Sequence, residues 1–506
     1  MSKKINLLLA CILSFSLSML AQERHSLSIE LEVDEDVQEN FQQSGRLFVF
    51  LTTSMRGEPR FNTWPSPGNL IFAKNITDFE PTQGLNISAS EGWQKLHDWG
   101  FEAIPSDQYY IQVLWDQDQS ESRTDAPGNI YSQKQKVDLS ADQRIKLSLQ
   151  NIIPARALAE HELIKWVDFK SDTLSNWWGK EMRLKAGILL PSNYDTSKSY
   201  PIRYNVAGYG GRYTRLNRLH AYKAFMKWWE SDESPQIISV FLDGEGPFGD
   251  SYQMDSDNSG PYGYALINEL IPYIESTYRG TNTADTRFVD GCSTGGWVSL
   301  GLQLYYPEVF NGCFSYSPDA IDFTHYQLIN IYKDKNAYTN EFGYERPVAR
   351  TTDGEPQLAL RSFIQYENIL GPSDTYLNSG GQFSAHTALY SPKGENSLPA
   401  PLFDPVSGEI DPVVAEHWQK YDFSLYTQEN WAELGPKLSG KIYIWMGDMD
   451  NFYLNPATRA FEKVLQGLDN PKSDAQIEFA PMQGHCQQYN PRTILEQMQE
   501  RLEGME

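Results

Sequence analysis

The sequence predicts an α/β fold: a mostly parallel sheet with helices on both faces, an N-terminal β-sandwich-like domain before it, and a lid insertion within it. Three observations predict this. From about residue 160 short apolar runs alternate with helical patterns; before that point the chain reads as strands and turns; between 323 and 435 the alternation breaks. At 506 residues the chain is too long for one ordinary core, which agrees with more than one domain. Its 40% hydrophobic and 13% aromatic content is that of a packed globular protein. Core packing accounts for most aromatic side chains, with some left to line a substrate groove.

The first element is a leader. Lys3 and Lys4 precede INLLLACILSFSLSMLA, and Ala21 ends the run as a small residue. A charged start, an apolar stretch and a small residue at the cleavage point read as a signal peptide over residues 1–21. The run is short and broken by serines, which disfavours a membrane anchor; lipidation at Cys11, in LLAC, is the minor alternative. No later segment approaches the roughly 18 apolar residues of a membrane span. The mature protein is thus expected to be secreted or periplasmic, with no membrane association after cleavage. A net charge of −24 without any Lys/Arg run excludes nucleic acid and anionic surfaces as partners. Nothing in the sequence specifies an oligomeric state.

Residues 22–155 form the predicted β-rich domain. HSLSIELEV, GRLFVFLTT, QYYIQVLWD and QRIKLSLQNI carry alternating or clustered β-formers between turn residues. His25 and His97 stand alone there and read as structural. A carbohydrate-binding role and a plain spacer role fit this domain equally.

Residues 160–322 and 436–506 form the two parts of the α/β domain. MRLKAGILLP, PIRYNVA, QIISVFLD, TRFVDG, NGCFSYSP, KIYIWMG and DAQIEFAP are short apolar runs suited to buried strands. In PYGYALINELIPYIESTYR, Leu266, Leu270 and Ile274 recur at helical spacing, and Pro456 and Pro491 stand where helices begin. Residues 323–435, rich in Tyr, Pro, Gly and Ser, form the insertion, and a long insertion of this kind reads as a functional lid.

The chemistry concentrates in DGCSTGGW, Asp290–Trp297. Gly291-x-Ser293-x-Gly295 matches a nucleophile elbow, a tight strand-to-helix turn that exposes the serine hydroxyl. The strand TRFVDG precedes it and the helical pattern GGWVSLGLQLYYPEVF follows. Serine is a weak nucleophile at its free pKa, so it needs an imidazole and a carboxylate to orient that imidazole. In this fold the order is serine, acid, histidine. Asp450, in the turn after KIYIWMG, fits the acid position better than Asp448, and His485 follows the last strand in APMQGHCQQ. His220, His325, His386 and His417 are weaker candidates. The oxyanion needs backbone N–H donors. Thr294, just after the serine, supplies one, and the turn Gly208-Tyr209-Gly210-Gly211 supplies another, with Tyr209 the first choice.

If Ser293 and His485 meet, their neighbours Cys292 and Cys486 come close as well. That nearness makes a Cys292–Cys486 disulfide feasible, in a compartment where disulfides persist. Cys313 is left as a free, buried thiol. The acidic loop from Asp243 to Asp257 lacks the spacing of a calcium-binding loop. It reads as a substrate-side loop, with no metal and no cofactor assigned.

VAGYGG, FLDGEGPFGDSYQMDSDNSGPYGYALINELIPYIESTY, FVDGCSTGGW, WMGDMDNFYL and QGHC resemble, in this order, the Putative esterase (esterase D-like) family of α/β-hydrolases, which includes feruloyl and acetylxylan esterases. The likeness covers roughly residues 180–320 and 437–506. It implies an α/β-hydrolase fold and cofactor-free hydrolysis of carboxylic esters by a triad falling on Ser293, Asp450 and His485. The order Cys-Ser, Asp, His-Cys is similar to tannases and fungal feruloyl esterases, in which the paired cysteines bridge. Ala207 departs from the family, which often has histidine there; so do Thr294 and the long insertion. The expected function is an exported serine esterase acting on acyl or feruloyl-type esters, either small molecules or groups linked to polysaccharide. A serine peptidase with the same triad and a non-catalytic carbohydrate-binding protein are the alternatives.

Overall fold

The computed structural model describes residues 23–118, 121 and 123–504, so the expected signal peptide and Cys11 lie outside the described residues. The chain forms two compact units: residues up to Gln117 with Gly128–Ile153, and Asp118–Pro127 with Pro154 onward.

The first unit is built on one nine-stranded sheet. Gly45–Thr52 lies within it, paired antiparallel with Gln108–Asp116 and Asn69–Ile76, and every residue of it is buried. Leu27–Val33 shows the period-two pattern read from HSLSIELEV. Leu27, Ile29, Leu31 and Val33 are buried, while the residues between them are partly exposed. This strand runs parallel to Gln143–Ile152, with Ile29 beside Ile145 and Leu31 beside Leu147. His97 stacks on Trp99 at 4.4 Å, a packing role.

The second unit carries an eight-stranded sheet: β1 (Ile164–Ser171), β2 (Met182–Leu189), β3 (Ile202–Val206), β4 (Ile238–Leu242), β5 (Arg287–Cys292), β6 (Cys313–Tyr316), β7 (Ile442–Gly447) and β8 (Gln476–Ala480). Their spatial order is β1-β2-β4-β3-β5-β6-β7-β8. The first two pairings, β1 with β2 and β2 with β4, are antiparallel; all later ones are parallel. Seven of these strands are the apolar runs of the sequence. β1 is the exception, because its outward residues are charged: in IKWVDFKS, Lys165, Asp168 and Lys170 face solvent, so the run lacks the continuous apolar signature.

Strands β3, β4 and β6 are wholly buried, with successive side chains serving opposite faces. Val240, Val289 and Cys313 pack into the core on one side; Phe241, Phe288 and Phe314 pack on the other. Helix α1 (262–278) contains a π turn at Leu266–Leu270 just before Pro272. Pro272 has no N–H and its ring crowds the preceding turn, which a widened turn relieves. Helices α2 (Thr294–Tyr305), α4 (Asn455–Gln466) and α5 (Pro491–Glu503) follow β5, β7 and β8; Pro456 and Pro491 lie in the first turns of α4 and α5.

The insertion holds a hairpin of Pro347–Arg350 with Pro356–Ala359, helix α3 (Gln382–Tyr390) and three further helices, Leu360–Leu370, Pro412–Trp418 and Phe423–Leu438. Many of its aromatic residues point inward, while Phe342 and Tyr344 are exposed. Tyr326, Tyr338, Tyr376, Tyr390 and Trp418 are all fully buried and join the core beneath the sheet.

Candidate active site

Each candidate side chain stands at a C-terminal end of the parallel strands, where α/β sheets place functional groups. Ser293 links β5 to α2 with φ 62° and ψ −127°, a conformation that L-residues avoid. Two hydrogen bonds hold it: Ser293 N–H donates to the Tyr316 carbonyl at 3.0 Å, and Trp297 N–H donates to the Ser293 carbonyl at 3.0 Å. The flanking glycines are required sterically. A Cβ on Gly291 would lie 2.5 Å from backbone atoms of Gly295, and one on Gly295 would lie 2.4 Å from the Val206 carbonyl.

The turn after β3 lies against this elbow. A Cβ at Gly208 would stand 3.3 Å from the Cys292 carbonyl and 3.7 Å from Ser293 Cβ. Tyr209 follows Gly208, and its hydroxyl donates to the Gly380 carbonyl at 2.9 Å. Thr294 is the first residue of α2, where backbone N–H groups have no partner within the helix.

At the end of β7, Asp450 is fully buried and its Oδ2 lies 2.6 Å from His485 Nδ1. Its Oδ1 accepts the Phe452 and Leu454 N–H groups at 2.9 and 3.3 Å, which orients the carboxylate. Asp448, the alternative acid, turns away to pair with Arg459. Gly447 lets this turn approach the histidine loop, since a Cβ there would lie 2.4 Å from the Gln483 carbonyl. Burial pushes the His485 imidazole down, but the charge and hydrogen bond of Asp450, with the charge of Asp319, outweigh it and hold the ring above the ordinary histidine value.

Cys292 and Cys486 form a disulfide with Cα atoms 6.1 Å apart, which ties the elbow to the histidine loop; Cys313 is free and buried. A second tie runs through the strand below. Asp290 makes a buried, two-pronged ion pair with Arg203, both bonds 2.7 Å, and accepts the Tyr489 hydroxyl at 2.7 Å. The bridge closes a chain segment of 194 residues. The double variant Cys292→Ser/Cys486→Ser is expected to lose about 2–5 kcal/mol, read as a lower denaturant midpoint that added reductant does not lower further.

The Cys292–Cys486 bridge joins the residues next to Ser293 and His485, but among the described residues no hydrogen bond joins Ser293 to His485. Ser293 Oγ instead donates a long one, 3.5 Å, to Asp319 Oδ1. Asp319, just past the end of β6, is the residue that the sequence reading missed, although its place at a strand end is the kind of signal that marked Asp450. It sits in a network with Tyr252, Thr294, Gln382 and His386. Gln382 and His386 come from α3 of the insertion, and Tyr252 from the acidic loop. His386 lies in the insertion, far in sequence from Ser293 and Asp319, so no local spacing marks it for such a role. Elsewhere in the acidic loop the carboxylates hold the chain: Asp243 pairs with Arg212, Asp255 accepts the Tyr264 N–H and the Tyr306 hydroxyl, and Asp257 pairs with His417 and Lys420. Among the described residues no cluster of three or more His, Cys, Asp or Glu is arranged to hold a metal ion.

A family model described as Putative esterase matches residues 179–503, well over half of the chain. The chain belongs to the Putative esterase family. This esterase is therefore a carboxylic ester hydrolase on an α/β-hydrolase fold, with a sheet-rich unit before it. No curated protein sequence matches it. Among solved structures it is similar to a ferulic acid esterase, at 15% identity and a TM-score of 0.41, over 67% of this chain and 98% of that one. It is also similar to an S-formylglutathione hydrolase from Agrobacterium tumefaciens, at 13% identity and a TM-score of 0.38, over 69% of this chain and 98% of that one. A ferulic acid esterase from Anaeromyces mucronatus matches at 12% identity and a TM-score of 0.33, over 67% and 90% of the two chains. Among the described residues no helix is long and apolar enough to cross a membrane.

Proposed function

We propose that this esterase is an exported serine esterase whose nucleophile, base and orienting acid are Ser293, His485 and Asp450. The observation that carries the proposal is the Asp450–His485 pair, 2.6 Å, bridged through Cys486 to the residue before Ser293. Ser293 Oγ attacks the ester carbonyl while His485 takes its proton, and the N–H groups of Thr294 and Tyr209 receive the oxyanion. His485 then protonates the departing alcohol oxygen. Water enters, gives its proton to His485 and attacks the acyl-enzyme; the carboxylic acid leaves and Ser293 regains its proton. Catalytic hydrogen bonds are often long or poorly aligned until substrate binds, so the Ser293–His485 bond is expected to form in the substrate complex, with Ser293 Oγ leaving Asp319. The Cys-Ser, Asp, His-Cys arrangement also aligns the proposal with tannases and fungal feruloyl esterases, and with acyl or feruloyl-type esters, free or on polysaccharide. The inward packing of the insertion's aromatic residues leaves fewer of them for a sugar-binding groove than the sequence suggests.

The test is hydrolysis of short p-nitrophenyl esters, feruloyl esters and aminoacyl anilides. Turnover of esters supports the proposal; turnover of anilides alone would mean a peptidase, and turnover of neither a binding protein. The pH dependence adds a sign. His485 must be neutral to act as base, and its pKa is raised, so kcat/KM should fall as pH drops through a midpoint above the ordinary histidine value of 6.5. A midpoint at or below that value would contradict the role of Asp450.

A further inference from the structure

Ester hydrolysis by a serine, a histidine and one orienting acid has no use for a second carboxylate beside the nucleophile, yet Asp319 is there. Its two oxygens are treated differently. Oδ2 takes the Tyr252 hydroxyl at 2.8 Å, the Thr294 hydroxyl at 3.0 Å and Gln382 Nε2 at 3.2 Å, with His386 Nε2 at 3.5 Å. Oδ1 has only the 3.5 Å contact from Ser293 Oγ. Asp319 is 6% exposed, and a carboxylate oxygen in such surroundings calls for more than one long hydrogen bond. Among the described residues no lysine or arginine pairs with it. Burial pushes its carboxyl up, but His386, Tyr252 and His485 outweigh burial and hold it below the usual carboxylate range, so it is ionised at neutral pH.

The position of Oδ1 determines what it can meet. For attack, a carbonyl carbon must come within about 3–3.5 Å of Ser293 Oγ. An acceptor 3.5 Å from the same Oγ then faces the atoms next to that carbonyl. Beside a neutral acyl group, this anion only opposes the oxyanion that forms during attack. Beside an ammonium on the carbon adjacent to the carbonyl, it becomes the acceptor of a charge-assisted hydrogen bond. The overall charge of −24 draws cationic substrates in the same direction.

We propose that Asp319 is a specificity-determining residue that receives a cationic amino group next to the scissile carbonyl, so that the preferred substrates are esters of α-amino acids. The inference rests on the serine-esterase reading of Ser293. Acid release from alanine ethyl ester, ethyl propionate and N-acetylalanine ethyl ester, followed by titration at pH 6, tests it. The wild type should favour the free amino ester over both others by at least about tenfold in kcat/KM, and Asp319→Asn should lose most of that preference. Propylammonium should inhibit ethyl propionate hydrolysis by the wild type more strongly than propanol does, a comparison that holds even where the variant fails to fold. Equal use of all three esters, a preference that survives Asp319→Asn, or equal inhibition by propylammonium and propanol would each overturn the proposal. Hydrolysis of no ester at all would instead overturn the serine-esterase reading, and this inference with it.

Discussion

Ser293→Ala is expected to lower kcat for short p-nitrophenyl esters by about 10⁶-fold, the scale on which losing a serine nucleophile disables a triad enzyme. The loss should fall on kcat with little change in KM, because the alanine leaves the pocket and its oxyanion donors in place. The substitution should also leave the fold intact. Ser293 makes one long side-chain hydrogen bond, and the backbone bonds that hold the elbow do not involve its hydroxyl. Relief of the strained backbone is not expected, since alanine disfavours φ 62° as serine does. A variant that retains more than a few per cent of wild-type turnover would assign the nucleophile elsewhere.

Asp450→Asn is expected to cost about 10⁴-fold in kcat, near 5.5 kcal/mol of barrier, while Asp448→Asn changes it little. The asymmetry follows from placement. Asp450 is fully buried, has its Oδ1 held by two backbone N–H groups, and turns Oδ2 to His485 Nδ1. An asparagine there presents an amide that cannot take up the imidazolium charge and can set the wrong ring tautomer. Asp448 lies at the surface against Arg459, where an ion pair contributes little. Comparable losses in the two variants would remove the reason to assign the acid to either residue by geometry.

The local text of the chain carried much of this organisation. Seven strands of the eight-stranded sheet were legible as apolar runs, most plainly β3, β4 and β6, which are wholly buried and so carry apolar residues on both faces. β1 was not, because an edge strand of alternating charge resembles a surface loop until its partner is known. The elbow was legible from the spacing Gly291-x-Ser293-x-Gly295, and the close backbone contacts at both glycines explain why no side chain fits there. The sequence favours Asp450 over Asp448 by its place in the turn after KIYIWMG, yet the two share a neighbourhood, and it is the fold of that turn that sends one inward and the other to Arg459.

The least legible part is the set around Asp319. Tyr252, Asp319, Gln382 and His386 lie in three different contexts: an acidic loop, a strand end and one helix of the insertion, which carries the last two. No spacing links 252 to 319 or 319 to 386, so no periodic or motif signal can join them. The insertion, read as a lid by its length, brings two of these residues against Asp319 as part of a packed layer.

The fold class and the turn that carries Ser293 could be read from the amino-acid order alone, since alternating apolar runs and a Gly-x-Ser-x-Gly turn each involve residues near one another in the chain. The packed chain adds that Asp450, not Asp448, reaches His485, and that Ser293 rests against Asp319. Both depend on which side chains converge across segments separated by tens to hundreds of residues, and that convergence comes from packing, which local sequence does not encode.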